Sequence, residues 1–195
     1  MNPFKYREQI KDLSTPFYLY DSDLLRETLQ KVRTEACRYG YTVHYAMKAN
    51  ANLPILKLVN SFNLGVDCVS GNEIKRALEA GFQADEIVFA GVGKSDWEIE
   101  YSLDKDVFSF NCESIQEIEV INEIAVKKRK IASICIRINP GINPNTHHYI
   151  TTGIEDNKFG IHLADLEQVI AVINDASNIK LIGIHLHIGS LIKYF

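Results

Sequence analysis

The chain has 195 residues, 46% hydrophobic and 24% charged, a globular composition whose length suits one domain or part of a larger one. A formal net charge of -4 with scattered basic residues gives no basic stripe for nucleic acid, and the one run, Lys127-Lys128-Arg129-Lys130, reads as a solvated helix end. No apolar stretch approaches the roughly 18 residues of a membrane span, and the opening "MNPFKYREQIKDL" lacks the apolar segment of a signal peptide, so neither nucleic acid nor membrane is expected as a partner and a cytoplasmic location is.

The first element is the short strand-like run "PFYLYD". Asp21 or Ser22 then caps a helix through about Tyr39, in which Leu24, Leu25, Leu29 and Val32 recur at helical spacing. From there the chain alternates. The strand-like runs "TVHYAM", "LGVDCV", "EIVFAG", "VFSFNC", "IASICIRIN" and "IKLIGIHLHI" are separated by helical stretches near 53–62, 72–81, 95–102, 114–129 and 164–175. Six strands of this kind in series predict a parallel sheet covered by helices. Residues 140–160, "PGINPNTHHYITTGIEDNKFG", form a long Pro/Gly/Asn/Thr-rich connection of the type usually kept for function. Cys37, Cys68, Cys112 and Cys135 show no CxxC spacing, and three of them lie in strand-like runs, so they read as reduced core residues.

Polar residues collect where strands end. Lys48 ends the first of the six runs, Asp67 and Ser70 the second, Asn111 and Glu113 the fourth, Arg137 and Asn139 the fifth, and His185 and His187 the sixth. A (β/α)8 barrel builds its site from such positions. An open doubly wound sheet binds at the same edge, but a ring would bring these groups together where an open sheet would string them out. The expected fold is therefore an α/β, TIM-type (β/α)8 barrel, incomplete, with about six of its eight strands.

Several chemistries compete for these residues. Lys48 in "VHYAMKAN" is either a strand-end surface lysine or a Schiff-base nucleophile in a site shared with Tyr45 and Asn50. His185 and His187 lie two apart and share a strand face, which suits a metal site, but carboxylate ligands in suitable company are not evident. Alternatively His187 stacks on an aromatic ligand while Gly189 and Ser190 hold a phosphate, or each histidine is a hydrogen-bonded core residue. "FAGVGKSDWE" lacks the glycine spacing of a phosphate-binding P-loop, and Ser95 or Asp96 reads as a helix cap. His147 and His148 read as loop contacts.

The strings "TPFYLYD", "HYAMKANAN", "GVDCVSGNEI", "IVFAGVGKSDWEI", "FNCES", "RINPGINPNTHHYITTGIEDNKFGI" and "GIHLHIGS", in order across nearly the whole chain, closely resemble the diaminopimelate decarboxylases. These belong to the alanine-racemase-like barrel enzymes that use pyridoxal 5'-phosphate. The resemblance implies that Lys48 carries the cofactor as a Schiff base, that His187 stacks on the pyridine ring and that Ser190 hydrogen-bonds the phosphate. Asp67 and Arg137 would lie beside the ring and the lysine. The implied reaction releases carbon dioxide from meso-2,6-diaminopimelate, an amino-acid substrate, to give L-lysine, with a homodimer as the working form. Leu191 stands where the family usually has glutamine, and Asn72 where a second glycine is common.

The resemblance also implies two units, residues 1–22 as a segment that pairs with a C-terminal β-domain and residues 23–195 as a partial cofactor-binding barrel. The β-domain itself is expected to be absent, together with two barrel strands, a Gly-rich phosphate loop, the acidic partner of the pyridine nitrogen and a cysteine that acts across the dimer interface. An N-terminal piece of a longer enzyme is therefore expected, inactive alone, with apolar edge strands prone to association. The competing readings are a non-catalytic carrier of the same cofactor, a metal-dependent barrel hydrolase, and a related decarboxylase acting on ornithine, arginine or carboxynorspermidine.

Overall fold

Side-chain caps set where four of the helices begin. The computed structural model describes residues 6–139 and 159–187. After a single turn, α1 (Arg7–Ile10), the Asp21 carboxylate accepts a hydrogen bond from the Leu24 N–H at 3.1 Å and starts α2 (Ser22–Arg38). The cap is thus Asp21, not Ser22. Helix α3 (Leu53–Asn60) has proline in its first turn, where no N–H is needed. Ser70 caps α4 (Gly71–Ala80), which ends on left-handed Gly81. Ser95 and Glu98 form a capping box on α5 (Asp96–Lys105), and Ser114 caps α6 (Ile115–Lys128). Helix α7 (Leu166–Asp175) follows a single 3-10 turn at Leu163–Asp165. The basic run does close α6, yet it is not free in solvent: Lys128 reaches both Asp104 oxygens at 3.0 Å and Lys130 reaches Asp106 at 2.7 Å.

Among the described residues seven strands form one sheet. They are β1 (His44–Ala46), β2 (Gly65–Cys68), β3 (Ile87–Phe89), β4 (Ser109–Cys112), β5 (Ala132–Asn139), β6 (Ile161–His162) and β7 (Ile179–Leu186). Every pairing is parallel, and β1 to β5 are neighbours in chain order. Strand β7 runs along β5 from Ala132 to Ile138, and β6 meets only Ile138 and Asn139. A doubly wound sheet would reverse its strand order at a switch point. This order grows in one direction, as a (β/α)8 barrel does, and the sheet is a partial barrel. Strand β6 escapes sequence pattern because two residues carry no period-two signal.

The two faces of the sheet differ in chemistry. Val66, Cys68, Ile87, Phe89, Phe110, Cys112, Ile134 and Ile136 are buried against helix residues such as Leu56, Ile74, Ile99, Ile118 and Val169. The opposite face carries a row of register partners, Asp67 beside Val88, Val88 beside Ser109, Asn111 beside Cys135 and Arg137 beside His185. Cys68 and Cys112 are buried free thiols whose pKa burial pushes up, in keeping with inert core positions. Strand β7 is far less covered, with Ile184 63% and Leu186 52% exposed.

The run "PFYLYD" does not form the expected strand: residues 17–21 carry no strand assignment, and Tyr18 is 89% exposed. Its apolar pattern is real, but a strand exists only through a ladder with a neighbour.

On β2, Gly65 is required by close packing. A Cβ there would lie 2.5 Å from His44 Cδ2 and 2.7 Å from the Glu86 carbonyl oxygen. Gly65→Ala is expected to lower the unfolding free energy by about 1 to 3 kcal/mol through overpacking, read from the urea midpoint. An unchanged midpoint would mean that both neighbours yield freely.

Candidate functional site

Five polar side chains from four separate segments meet at the C-terminal rim of the sheet. Lys48 sits in a one-turn 3-10 helix, Met47–Ala49, placed directly after β1. The turn is anchored on one side by fully buried Met47. On the other, the Tyr45 hydroxyl donates to the Asn50 carbonyl at 3.2 Å and the Asn50 amide donates to the Tyr20 hydroxyl at 2.9 Å. Asp67 lies on β2, Arg137 on β5, His185 on β7, and His187 just beyond it. Together with Gly91, Phe159 and short apolar side chains, they enclose a cavity of about 270 Å³. Alternation along β7 explains why both histidines reach it: residues two apart share a face.

Arg137 is held from behind. Its Nη1 donates to both Glu113 oxygens, at 2.7 and 2.9 Å, and its guanidinium carbon lies 5.5 Å from the centre of the Phe159 ring. Two other atoms of the rim have no such support. Asp67 Oδ1 and His185 Nδ1 are buried without a hydrogen-bond partner, and such atoms in a cavity are what a polar ligand or ordered water completes. Burial pushes the Asp67 carboxyl up from 3.8 to about 6, against the pull of the Lys48 and Lys94 charges. Burial also pushes His185 down from 6.5 to about 4, with the Arg137, His187 and Lys94 charges acting in the same direction. His187 is lowered as well, first by burial and then by Arg137 and Lys48.

These two shifts have opposite consequences for stability. Asp67 keeps its proton in the fold after the unfolded chain has lost it, so its contribution is present below about pH 4 and is lost as pH rises to about 6. His185 stays neutral where the unfolded chain is protonated, so its contribution is present above pH 6.5 and is lost as pH falls to about 4. In wild type the two slopes oppose each other. Asp67→Asn is therefore expected to make unfolding free energy rise more steeply with pH between about 4 and 6. Urea titrations across that range check it; curves parallel to wild type would show that Asp67 titrates normally.

Of the residues singled out in the sequence, Lys48, Asp67, Arg137 and His187 line one cavity, while Ser190 and the His147-His148 pair lie outside the described residues. Ser70, Ser95 and Ser114 are accounted for as helix caps. Among the described residues no group of three or more His, Cys, Asp or Glu stands at metal-binding distance. Pattern reading gave Lys94 no role. It is a buried cation, bonded to Glu117 and to the Gly91 and Asn111 carbonyls.

Comparison with known proteins gives the family of the chain. The family described as "Pyridoxal-dependent decarboxylase, pyridoxal binding domain" matches residues 23–194. The diaminopimelate decarboxylase of Bacteroides thetaiotaomicron is 51% identical over 95% of this chain and 48% of its own length. That of Neisseria meningitidis serogroup A is 42% identical over 95% of this chain and 46% of its own. Among solved structures, diaminopimelate decarboxylase from Helicobacter pylori complexed with L-lysine superposes with a TM-score of 0.87 at 40% identity, covering 95% of this chain and 47% of that one. The chain thus spans about half the length of the curated relatives it matches. No helix among the described residues is long and apolar enough to cross a membrane. With a match over most of its length and a one-directional parallel sheet whose rim gathers a lysine, an aspartate, an arginine and two histidines, the chain belongs to the pyridoxal-dependent decarboxylases and carries their pyridoxal-binding domain.

Proposed function

We propose that the rim cavity takes pyridoxal 5'-phosphate and that the enzyme of which this chain is part converts meso-2,6-diaminopimelate to L-lysine and carbon dioxide. The observation that carries the reading is the convergence of Lys48, Asp67, Arg137 and His187 on one cavity. The residues present fit the ring end of that cofactor. There is a primary amine for covalent attachment, an imidazole able to stack on a flat ring, and a buried carboxylate oxygen, Asp67 Oδ1, still in want of a partner. When bound, the cofactor supplies an electron sink that accepts the pair left behind as carbon dioxide departs.

The chain's own residues would do the rest. Lys48 Nζ would hold the cofactor and would be placed to move a proton at the rim. Asp67, beside it, offers a carboxylate to the ammonium form of Lys48. Its pKa of about 6 leaves that carboxylate ionised at neutral pH. His187 covers one ring face, with its own protonation disfavoured by burial and by the Arg137 and Lys48 charges. Arg137, fixed by Glu113, supplies a positive charge that does not wander. Ser190 is assigned to the phosphate on the resemblance of "GIHLHIGS".

The substrate assignment draws on the identity with the Bacteroides and Neisseria enzymes. Its test is a chimera in which this chain is continued by the remaining half of the Bacteroides protein, supplied with cofactor. Carbon dioxide release from meso-diaminopimelate, with none from ornithine or arginine, is expected. Release from either alternative in preference would overturn the substrate assignment.

A further inference from the structure

Behind the cavity wall lies a set of buried charges that touches the cavity only through Arg137. The Lys94 side chain is 1% exposed. Its ammonium has three N–H donors and three acceptors in reach: the Gly91 carbonyl at 2.8 Å, the Asn111 carbonyl at 2.8 Å, and Glu117 Oε1. It therefore ties the turn after β3 to the end of β4 and to the first turn of α6. Glu117 Oε2 accepts from the Glu113 N–H at 2.7 Å. The Glu113 carboxylate, in turn, takes both of its hydrogen bonds from Arg137 Nη1. The sequence Lys94, Glu117, Glu113, Arg137 thus runs without a gap from β3 to β5. Only its last member lines the cavity, while Lys94, Glu113 and Glu117 border a separate cleft between α5 and α6.

Helix capping does not explain the buried lysine. At the start of α4, Ser70 accepts from the Glu73 N–H and Glu73 Oε2 accepts from the Val69 N–H at 2.7 Å. At α6, Ser114 and Glu117 repeat that arrangement with Glu113 in place of Val69. Among the described residues no ion pair engages Glu73, so the cap closes without one. What distinguishes α6 is the residue whose backbone is clamped. At α4 it is Val69; at α6 it is Glu113, which holds Arg137.

We propose that the buried Lys94–Glu117 ion pair is the positioning element for Arg137. It fixes the Glu113 backbone, and through it the direction of the Glu113 carboxylate and of the guanidinium at the rim. Lys94 and Glu117 are positioning residues, not catalytic ones, and the inference rests on Arg137 facing the cofactor as proposed above.

Glu117→Gln tests it, because glutamine keeps the size and an oxygen for the Glu113 N–H while removing the charge opposite Lys94. The readout is the pyridoxal 5'-phosphate concentration that half-saturates borohydride-trapped label on Lys48 in the full chain. Glu117→Gln is expected to raise that concentration about tenfold, the scale at which a supporting partner acts on a ligand-holding group. In an Arg137→Met background the same substitution is expected to add no further rise, because the effect travels through Arg137. An equal rise in both backgrounds would show a general structural effect and overturn the proposal. A second measurement needs no cofactor: nuclear magnetic resonance of the Arg137 guanidinium is expected to show slow rotation about its Nε–Cζ bond in wild type and fast rotation in Glu117→Gln. Unchanged rotation would overturn the positioning role. A wild-type chain that never labels at Lys48 would instead remove the cofactor reading, leaving the guanidinium measurement to judge the positioning role on its own.

Discussion

Lys94→Met is expected to lower the unfolding free energy by about 3 to 5 kcal/mol, the range for removing one partner of a buried ion pair. The loss has two sources. Glu117, whose side chain is 11% exposed, would keep its charge with only the Glu113 N–H to answer it. The Gly91 and Asn111 carbonyls would also lose the donor they share. Methionine fills a similar volume and can still lie against Phe89, whose ring centre is 5.2 Å from the lysine nitrogen, so a packing defect is not the main term. The double variant Lys94→Met with Glu117→Gln is expected to recover most of the loss, since the stranded charge is then gone. Urea denaturation of the two single variants and the double variant checks this as a cycle. A single-variant loss below about 1 kcal/mol would place the pair in the class of solvated surface bridges and contradict its burial.

The same residue shows where sequence reading reached its limit. The resemblance singled out Lys48, Asp67, Arg137 and His187, and their meeting could be foreseen because a parallel β/α chain sends the residue at each strand's end to one common rim. No contact between them has to be known for that. His185 and His187 were legible together for an equally local reason, the two-residue period of a strand. Lys94 offers no such rule: its partner Glu117 lies 23 positions away, and "GVGKS" invites only the question of a phosphate loop. Glu113 and Arg137 are likewise 24 positions apart, on different strand ends. Such pairings depend on how helices pack over the sheet, which periodicity does not encode. The failure at "PFYLYD" has the complementary cause, a local pattern that was read correctly but whose strand needs a neighbour.

Legibility also differed between the face that packs and the face that reacts. Residues such as Val66, Phe89, Phe110 and Ile134 lie in the apolar runs that read as strands, and they are buried. On the opposite face, Asp67, Asn111, Arg137 and His185 place polar groups in those runs, and the fold leaves two of their atoms without partners. A chain selected only for stability would avoid burying such groups unsatisfied. The cost they impose is in keeping with the ligand proposed for this rim.

The largest chemical effect is expected at Lys48. Lys48→Ala should abolish borohydride-trapped label from pyridoxal 5'-phosphate in this chain. In the chimera it should lower decarboxylation by about a hundred- to ten-thousand-fold, the range for losing a positioned proton-transfer group. The fold gives the experiment a clean control. Lys48 itself is exposed, whereas its neighbour Met47 is fully buried and anchors the turn, so the substitution should change unfolding free energy by no more than about 0.5 kcal/mol. Binding without covalent capture can persist, because His187 and Arg137 still face the cavity; absorbance of the retained cofactor separates that case from a collapsed site. Lys94 is the obvious competitor for the label, but its three hydrogen bonds and near-complete burial keep it from reacting in wild type. Peptide mapping decides between them. Label confined to Lys48 and lost in Lys48→Ala establishes the covalent site, and label that persists on another lysine in Lys48→Ala overturns it.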